Sequence, residues 1–299
     1  MSQTISGSTG APYGIQRVCR VWEQARSTFY AQQARTAELT PPARQGPKPA
    51  VPDDALLALI RADLAASPFS GEGHRKVWAR LHFVQGLRVA RKRVLRLMRE
   101  HQLLSPHRSR QGTPVVHDGT IVTDAPNVLW GTDGAKVFTL DEGWVWTFVA
   151  VEHWNAECVG WHVAKHGNAY AALEPLAQGV TQLYGGVGAD LARGLAVRLD
   201  HGTQYLSDHF VNQLRFWGIT PSFAFVAEPE TNGVAERFIR TLKEQVIYGR
   251  TYRTAAEVRA AVAAFIARYN AHWLVEKNGY RSPVQARAAW TSARLPVAA

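Results

Sequence analysis

Three acidic side chains stand where the sequence can hold a carboxylate rigidly. Asp133 lies in VLWGTDGAK, Asp200 closes the apolar run of AVRLDHGTQY, and Glu236 comes early in NGVAERFIRTLKEQ, with 35 residues between the second and the third. Hard divalent ions take oxygen ligands, and Mg²⁺ in particular keeps water and substrate phosphate beside a few carboxylates. Two such ions ~3.5–4 Å apart activate a water or sugar hydroxyl and stabilise the departing oxygen in phosphoryl transfer. At ~100° per residue, Lys243 returns to within ~20° of Glu236, two turns further on, and Arg240 lies beside them. The opposite stripe, Ala235, Phe238, Leu242 and Val246, is apolar and suited to pack on a sheet. The plainer alternative is a surface ion pair between Glu236 and Arg240, worth only ~0.3–0.5 kcal/mol.

The elements that must position these acids read as a mixed sheet covered by helices. Val128 to Thr132 and Lys136 to Leu140 flank Asp133, the turn Asp141-Glu142-Gly143 follows, and WVWTFVAVE and CVGWHVA are rich in strand formers. Ala169 to Tyr184 has helical apolar spacing, with Pro175 implying a late start or a kink. Leu195 to Leu199 is a short strand ending on Asp200; a helix through Phe210, Leu214 and Trp217, a strand at about Ile219 to Phe223, a polar loop and two final helices complete the order. Trp144, Trp146, Trp154 and Trp161 sit in or beside strands, where packing explains them better than base stacking. His201 and His209 receive no role, since a metal can activate the nucleophile itself.

The front of the chain differs in charge. Residues 1–119 carry 18 Lys and Arg against 8 Asp and Glu, whereas residues 120–299 carry 16 of each, so the net charge of +10 resides wholly in the front. A polyanion-binding front on a neutral rear suggests nucleic acid, a merely soluble basic segment being the alternative. Residues 40–52, TPPARQGPKPAVP, contain five prolines and read as a linker. Before it, two short helices in Ile15 to Tyr30, with Ser27 and Thr28 as candidate caps, make a small module over 1–39. After it, Asp53 and Asp54 can cap a helix through Ala66 with Leu56, Leu57, Ile60 and Leu64 on one face; a second helix spans roughly His74 to Phe83. A third, from about Val89 to Leu104, carries Val94, Leu97, Met98 and Leu104 on one stripe and Arg91, Lys92, Arg93, Arg96 and Arg99 elsewhere. Helix, tight turn and basic helix over 53–110 form the pattern of a helix-turn-helix that lays its last helix in the DNA major groove; a solvated charged face is the competing reading.

The three motifs reach a known family. W-G-T-D, L-D-x-G-x-Q-Y and N-G-x-x-E-R-F-x-x-x-L-K, with their 35-residue spacing, resemble the DDE transposases and retroviral-type integrases, most closely the catalytic OrfB subunit of two-frame bacterial insertion-sequence transposases. GHRKVWARL with RKRVLRLMRE is similar to the family's helix-turn-helix, and AFIARYNAHWLVEKNGYRSPVQAR to its YN…GY…P tail. The resemblance covers nearly the whole chain and implies an RNase H-like α/β core over 126–299, joined by a linker at 111–125 to all-α helix-turn-helix modules. It further implies Asp133, Asp200 and Glu236 as catalytic ligands of Mg²⁺ or Mn²⁺, two ions per site, and Lys243 as a contact to DNA near the reacting end. Double-stranded DNA, further copies of the chain and an upstream-frame OrfA protein are the implied partners, with strand transfer as the activity. An RNase H-like nuclease that only hydrolyses, or a DNA-binding regulator, are the rivals.

Three departures limit what carries over. Ala271-His272-Trp273 replaces the Arg-Pro-His run common after Tyr-Asn, and Gly134 and Ala135 stand where a threonine or serine often follows the first aspartate. The zinc-binding His/Cys domain of retroviral integrases has no counterpart. Cys19 and Cys158 are the only cysteines, too few for a disulfide framework or a cysteine-rich zinc site, and read as reduced, buried thiols. No run approaches the ~18 apolar residues of a membrane span, and the amino terminus lacks the pattern of a secretory signal. A cytoplasmic, nucleoid-associated protein is expected.

Overall fold

Along WVWTFVAVE the side chains alternate between two buried faces, so this strand must be covered on both sides. In the computed structural model, which describes residues 3–37, 50–106, 122–223 and 232–294, Val145, Val149 and Val151 enter one core while Phe148 and Ala150 enter another. The strand, β2 (Gly143–Glu152), lies between β1 (Leu129–Thr139) and β3 (Cys158–Ala164), antiparallel to both. β4 (Ala196–Leu199) and β5 (Thr220–Phe223) extend the sheet parallel to β1, giving the order β3-β2-β1-β4-β5.

Two units make up the chain, residues 1–52 and 53–299. The first holds α1 (Ile15–Val21) and α2 (Arg26–Ala37) among its described residues, with Cys19 buried. Ser27 and Thr28 are not caps as expected. The helix begins at Arg26, because the Thr28 and Phe29 amides already bond to the Ala25 carbonyl. Of the expected linkers, positions 40–49 and 111–121 lie outside the described residues.

The second unit opens with α3 (Asp53–Ala66), α4 (His74–Ala79), which runs on as a π-turn through Val84, and α5 (Arg91–Glu100). Leu56, Ile60, Val77, Leu81, Val94, Leu97 and Met98 form its apolar centre. α5 is shorter than its sequence pattern suggests. Ala90 is extended and Gln102 adopts a positive φ of 57°, so Leu104 falls beyond the helix and is exposed rather than on the apolar stripe. Arg80 is held by Asp63 at 2.7 Å and Glu72 at 2.7 Å, both acids buried.

One face of the sheet is covered by α6 (Ala169–Tyr184) and α8 (Asp208–Phe216), which follows the single turn α7 (Thr203–Leu206). Pro175 does not delay α6, which starts at Ala169 with Asn168 capping the Ala171 amide. Gly160 on β3 accommodates it, since a Cβ there would lie 1.8 Å from the Pro175 carbonyl. The other face is covered by α9 (Gly233–Leu242), which continues as a π-turn through Ile247, and by α10 (Ala255–His272). A further helix, α11 (Pro283–Ser292), makes three after the polar loop where two were expected. Gly279 and Tyr280 at positive φ break the chain, and Ser282 and Gln285 then form a reciprocal cap with Pro283 in the first turn. Trp146 stacks on Phe148 and Trp154 meets Trp290 edge-on, as packing requires, whereas Trp144 is exposed beside Phe138.

Candidate active site

Strand register brings the first two acids together. β1 pairs with β4 through Leu129 and Ala196, Trp130 and Val197, and Gly131 and Arg198; continued two residues past the last pair, that register would set Asp133 level with Asp200, whose field does reach Asp133. Asp133 is not at a strand end between two strands. β1 is continuous through it, because Asp133, Gly134 and Ala135 pair with Val149, Phe148 and Thr147. Gly134 fits the space that Phe148 leaves, since a Cβ would lie 2.9 Å from the ring; this accounts for the missing threonine or serine. The Asp133 carboxylate accepts the Gly134 amide at 2.7 Å and Asp200 accepts the Gly202 amide at 2.8 Å, fixing both side chains.

α9 supplies the third acid. Ala235, Phe238, Leu242 and Val246 are buried against the sheet, leaving Glu236 on the open side. A cleft of about 450 Å³ is lined by Asp133, Glu236, Arg240, Lys243, Glu244 and Tyr248. Arg240 pairs with Glu244 at 3.0 Å. Burial pushes Asp133 up to about 6, against the pull of the Gly134 amide; Asp200 and Glu236 raise it further and Lys243 lowers it. Partial burial also holds Glu236 above the usual carboxylate range. Asp200 does not line the cleft, yet its field reaches Asp133.

The donor set suits a hard divalent cation, because it consists of carboxylates whose mutual repulsion a cation would relieve. Among the described residues, however, no three His, Cys, Asp or Glu side chains already converge as a metal cage.

The five basic residues of α5 part company. Arg93 and Arg96 both bind Asp53 at 2.6 Å, and Arg96 also binds Glu100 at 2.8 Å, so the acid expected to cap α3 instead ties α3 to α5. Arg91 reaches Glu276 at 3.5 Å, which also binds Arg75 at 2.7 Å. Lys92 and Arg99 are exposed, with no ion pair among the described residues.

Several contributors escaped the sequence reading. Trp273, in the divergent Ala-His-Trp run, stacks on Tyr269, meets Phe69 edge-on at 4.9 Å and lies under Lys76. Gln245 exchanges hydrogen bonds with the Ser70 backbone at 3.1 and 2.7 Å. The loop before α4 is thereby joined to the π-turn that carries Lys243. Asn232 donates to the Thr132 carbonyl at 3.0 Å, beside Asp133. His153 is buried under the same strand, and burial together with Lys277 and Arg198 pushes it down to about 4. Alternation and motif spacing could locate the acids, but side-chain-to-backbone bonds across distant segments leave no periodic signal.

The fold is an RNase H-like mixed sheet with flanking helices, preceded by a helical, helix-turn-helix-like region. The integrase core domain family matches residues 123–229 and 217–283, and the HTH-like domain family matches 52–111. The chain thus carries an integrase core domain over residues 123–283. It is 27% identical to the transposase for insertion sequence element IS629 of Shigella sonnei, over 93% of each chain. To the putative transposase for IS986/IS6110 of Mycobacterium tuberculosis it is 28% identical, over 78% of this chain and 87% of the other. Among solved structures, the simian T-cell lymphotropic virus intasome aligns with a TM-score of 0.47 at 17% identity, covering 73% of this chain and 76% of that one.

Proposed function

We propose that this chain is a DNA transposase of an insertion sequence, which binds element ends, cleaves them and joins the freed strand to a new phosphodiester. The observation that supports this reading is the nearness of Asp133 to the other two acids: it lines a cleft with Glu236 and lies within the field of Asp200.

Asp133, Asp200 and Glu236 would hold divalent ions, Mg²⁺ or Mn²⁺ and two per site. Such ions, when bound, activate the attacking hydroxyl and stabilise the leaving oxygen. The chain's own side chains do the rest. Sheet register and the Gly134 and Gly202 amides hold two carboxylates still, so little reorganisation remains when the phosphate arrives. Lys243 presents a cation to that phosphate from outside the carboxylate set, with Arg240 tethered to Glu244 on the same rim. Residues 53–110 would grip duplex DNA through α5, chiefly by Lys92 and Arg99, with Arg91, Arg93 and Arg96 shaping the helix face. Pairing of two element ends calls for more than one copy of the chain, and an upstream-frame OrfA protein is a further candidate partner. No described helix is long and apolar enough to cross a membrane.

The test is strand transfer by the full chain from a pre-cleaved terminal-repeat duplex in Mg²⁺ or Mn²⁺. Joined product is expected. Metal-dependent hydrolysis without joining would make the chain a nuclease, and DNA binding with neither reaction would make it a regulator.

A further inference from the structure

Asparagine at the start of a helix ordinarily turns its side chain onto the helix's own amides. Asn232 precedes α9 in that position but makes no such cap. Its amide instead crosses to β1, where Nδ2 donates to the Thr132 carbonyl at 3.0 Å, although Asn232 and Thr132 are 100 residues apart. The carbonyl only accepts, so the nitrogen must face it and Oδ1 must face away. That Oδ1 is buried without a partner, as are both ring nitrogens of His153. The two side chains converge above Gly131. A Cβ added there would lie 2.5 Å from Asn232 Oδ1, 3.0 Å from His153 Nε2 and 3.1 Å from the Ala235 Cβ. These buried polar atoms border the space that a side chain at position 131 would occupy, so glycine alone leaves room for the amide.

We propose that Asn232 is a positioning residue that pins α9 to β1, with Gly131 and His153 forming the socket for its amide. The inference rests on the metal-binding role proposed for the acids. Its bond ends one residue before Asp133 and starts four residues before Glu236, so it fixes one acid relative to the other. Cleft width is then set by a side chain that touches neither metal nor DNA.

The test uses the full chain without DNA, with Mn²⁺ binding read by electron paramagnetic resonance and apo-protein melting read alongside. Asn232→Ser offers the helix a capping hydroxyl but is too short to reach Thr132. It should weaken Mn²⁺ binding about 10-fold or more, as lost orienting partners do, while the melt shifts little. Asp133→Asn is the control. If it loses Mn²⁺ while Asn232→Ser binds like the parent, the positioning role is overturned; if Asp133→Asn also binds like the parent, the metal-site reading falls instead. Gly131→Ala guards against a serine variant that folds poorly. It should lower the melt in the parent and lower it less in the Asn232→Ser background, where the closest clash is gone. Equal losses in both backgrounds would overturn the socket.

Discussion

α5 and the α9 helix with its π-turn are both rich in cations, but they use them differently. In α5 the acid Asp53, delivered by α3, takes Arg93 and Arg96, and Glu276 takes Arg91, so much of the charge is spent on holding helices together. On α9 the local pair Arg240–Glu244 leaves Lys243 on the cleft wall, where its field lowers Asp133. Charge counted along a sequence is therefore not charge available to a ligand. What separates the two helices is whether an acid from elsewhere in the fold arrives beside them.

Separation of grip from chemistry gives the largest expected effect. Asp133→Asn, Asp200→Asn and Glu236→Gln should each reduce cleavage and joining by on the order of 10³-fold or more, the several kcal/mol that metal-assisted charge stabilisation supplies. End binding, assigned by our proposal to α5, should persist in a gel-shift assay; loss of binding in all three would merge the two regions. The same aspartate sets a pH dependence in metal-free protein. Its folded-state value of about 6 exceeds the ordinary 3.8, so the folded chain binds more protons across that window. Stability should fall as pH rises from about 4 to 6, and Asp133→Asn should flatten that part of the melting curve.

Next comes a cation wholly committed to structure. Arg80 neutralises the buried Asp63 and Glu72, and Arg80→Ala would strand both. A cost of about 3–5 kcal/mol is expected, read by denaturant unfolding. A near-neutral result would mean that water reaches these acids.

Within α5 itself, Lys92→Ala with Arg99→Ala should lower the log–log salt slope of DNA binding by about 1.8, at ~0.9 per phosphate contact, without altering the melt. Arg93→Ala should do the reverse, loosening α3 from α5 and leaving the slope nearly intact. If the two variants behave alike, the division of labour along this helix is wrong.

These contrasts mark what the sequence could carry. A run of strand formers marked β2, helical spacing put Ala235, Phe238, Leu242 and Val246 on one buried face, and motif order singled out the three acids. Partner choice was not legible. Asp53 looked like a cap because capping is local, yet two arginines about 40 residues on outcompete it. Asn232 read only as the start of the helix that carries Glu236, yet its side chain spans to β1. The break of the tail into two helices needed Gly279, Tyr280 and the Ser282 cap to act together.

The smallest expected effect concerns Lys243, on which the comparison turns. It shares the cleft wall with Glu236, as the seven-residue spacing requires, and it is close enough to Asp133 to lower its proton affinity. In metal-free protein that field partly offsets the mutual repulsion of the acids. With phosphate present, the proposed role of the cation is to face the incoming strand. Lys243→Ala should therefore weaken engagement of the transposon end and slow joining by a few-fold to about 10-fold, as expected for one charge-assisted contact. Because a partly exposed lysine on the cleft wall adds little to stability, the melt should shift by no more than about 0.5 kcal/mol allows. The measurement is joining rate against end concentration, with melting in parallel. Unchanged kinetics and an intact melt would reduce Lys243 to ordinary surface charge, and the distinction between the two helices would vanish; a collapsed melt would mean that its stem packs into the turn joined to Ser70 and that its role is structural.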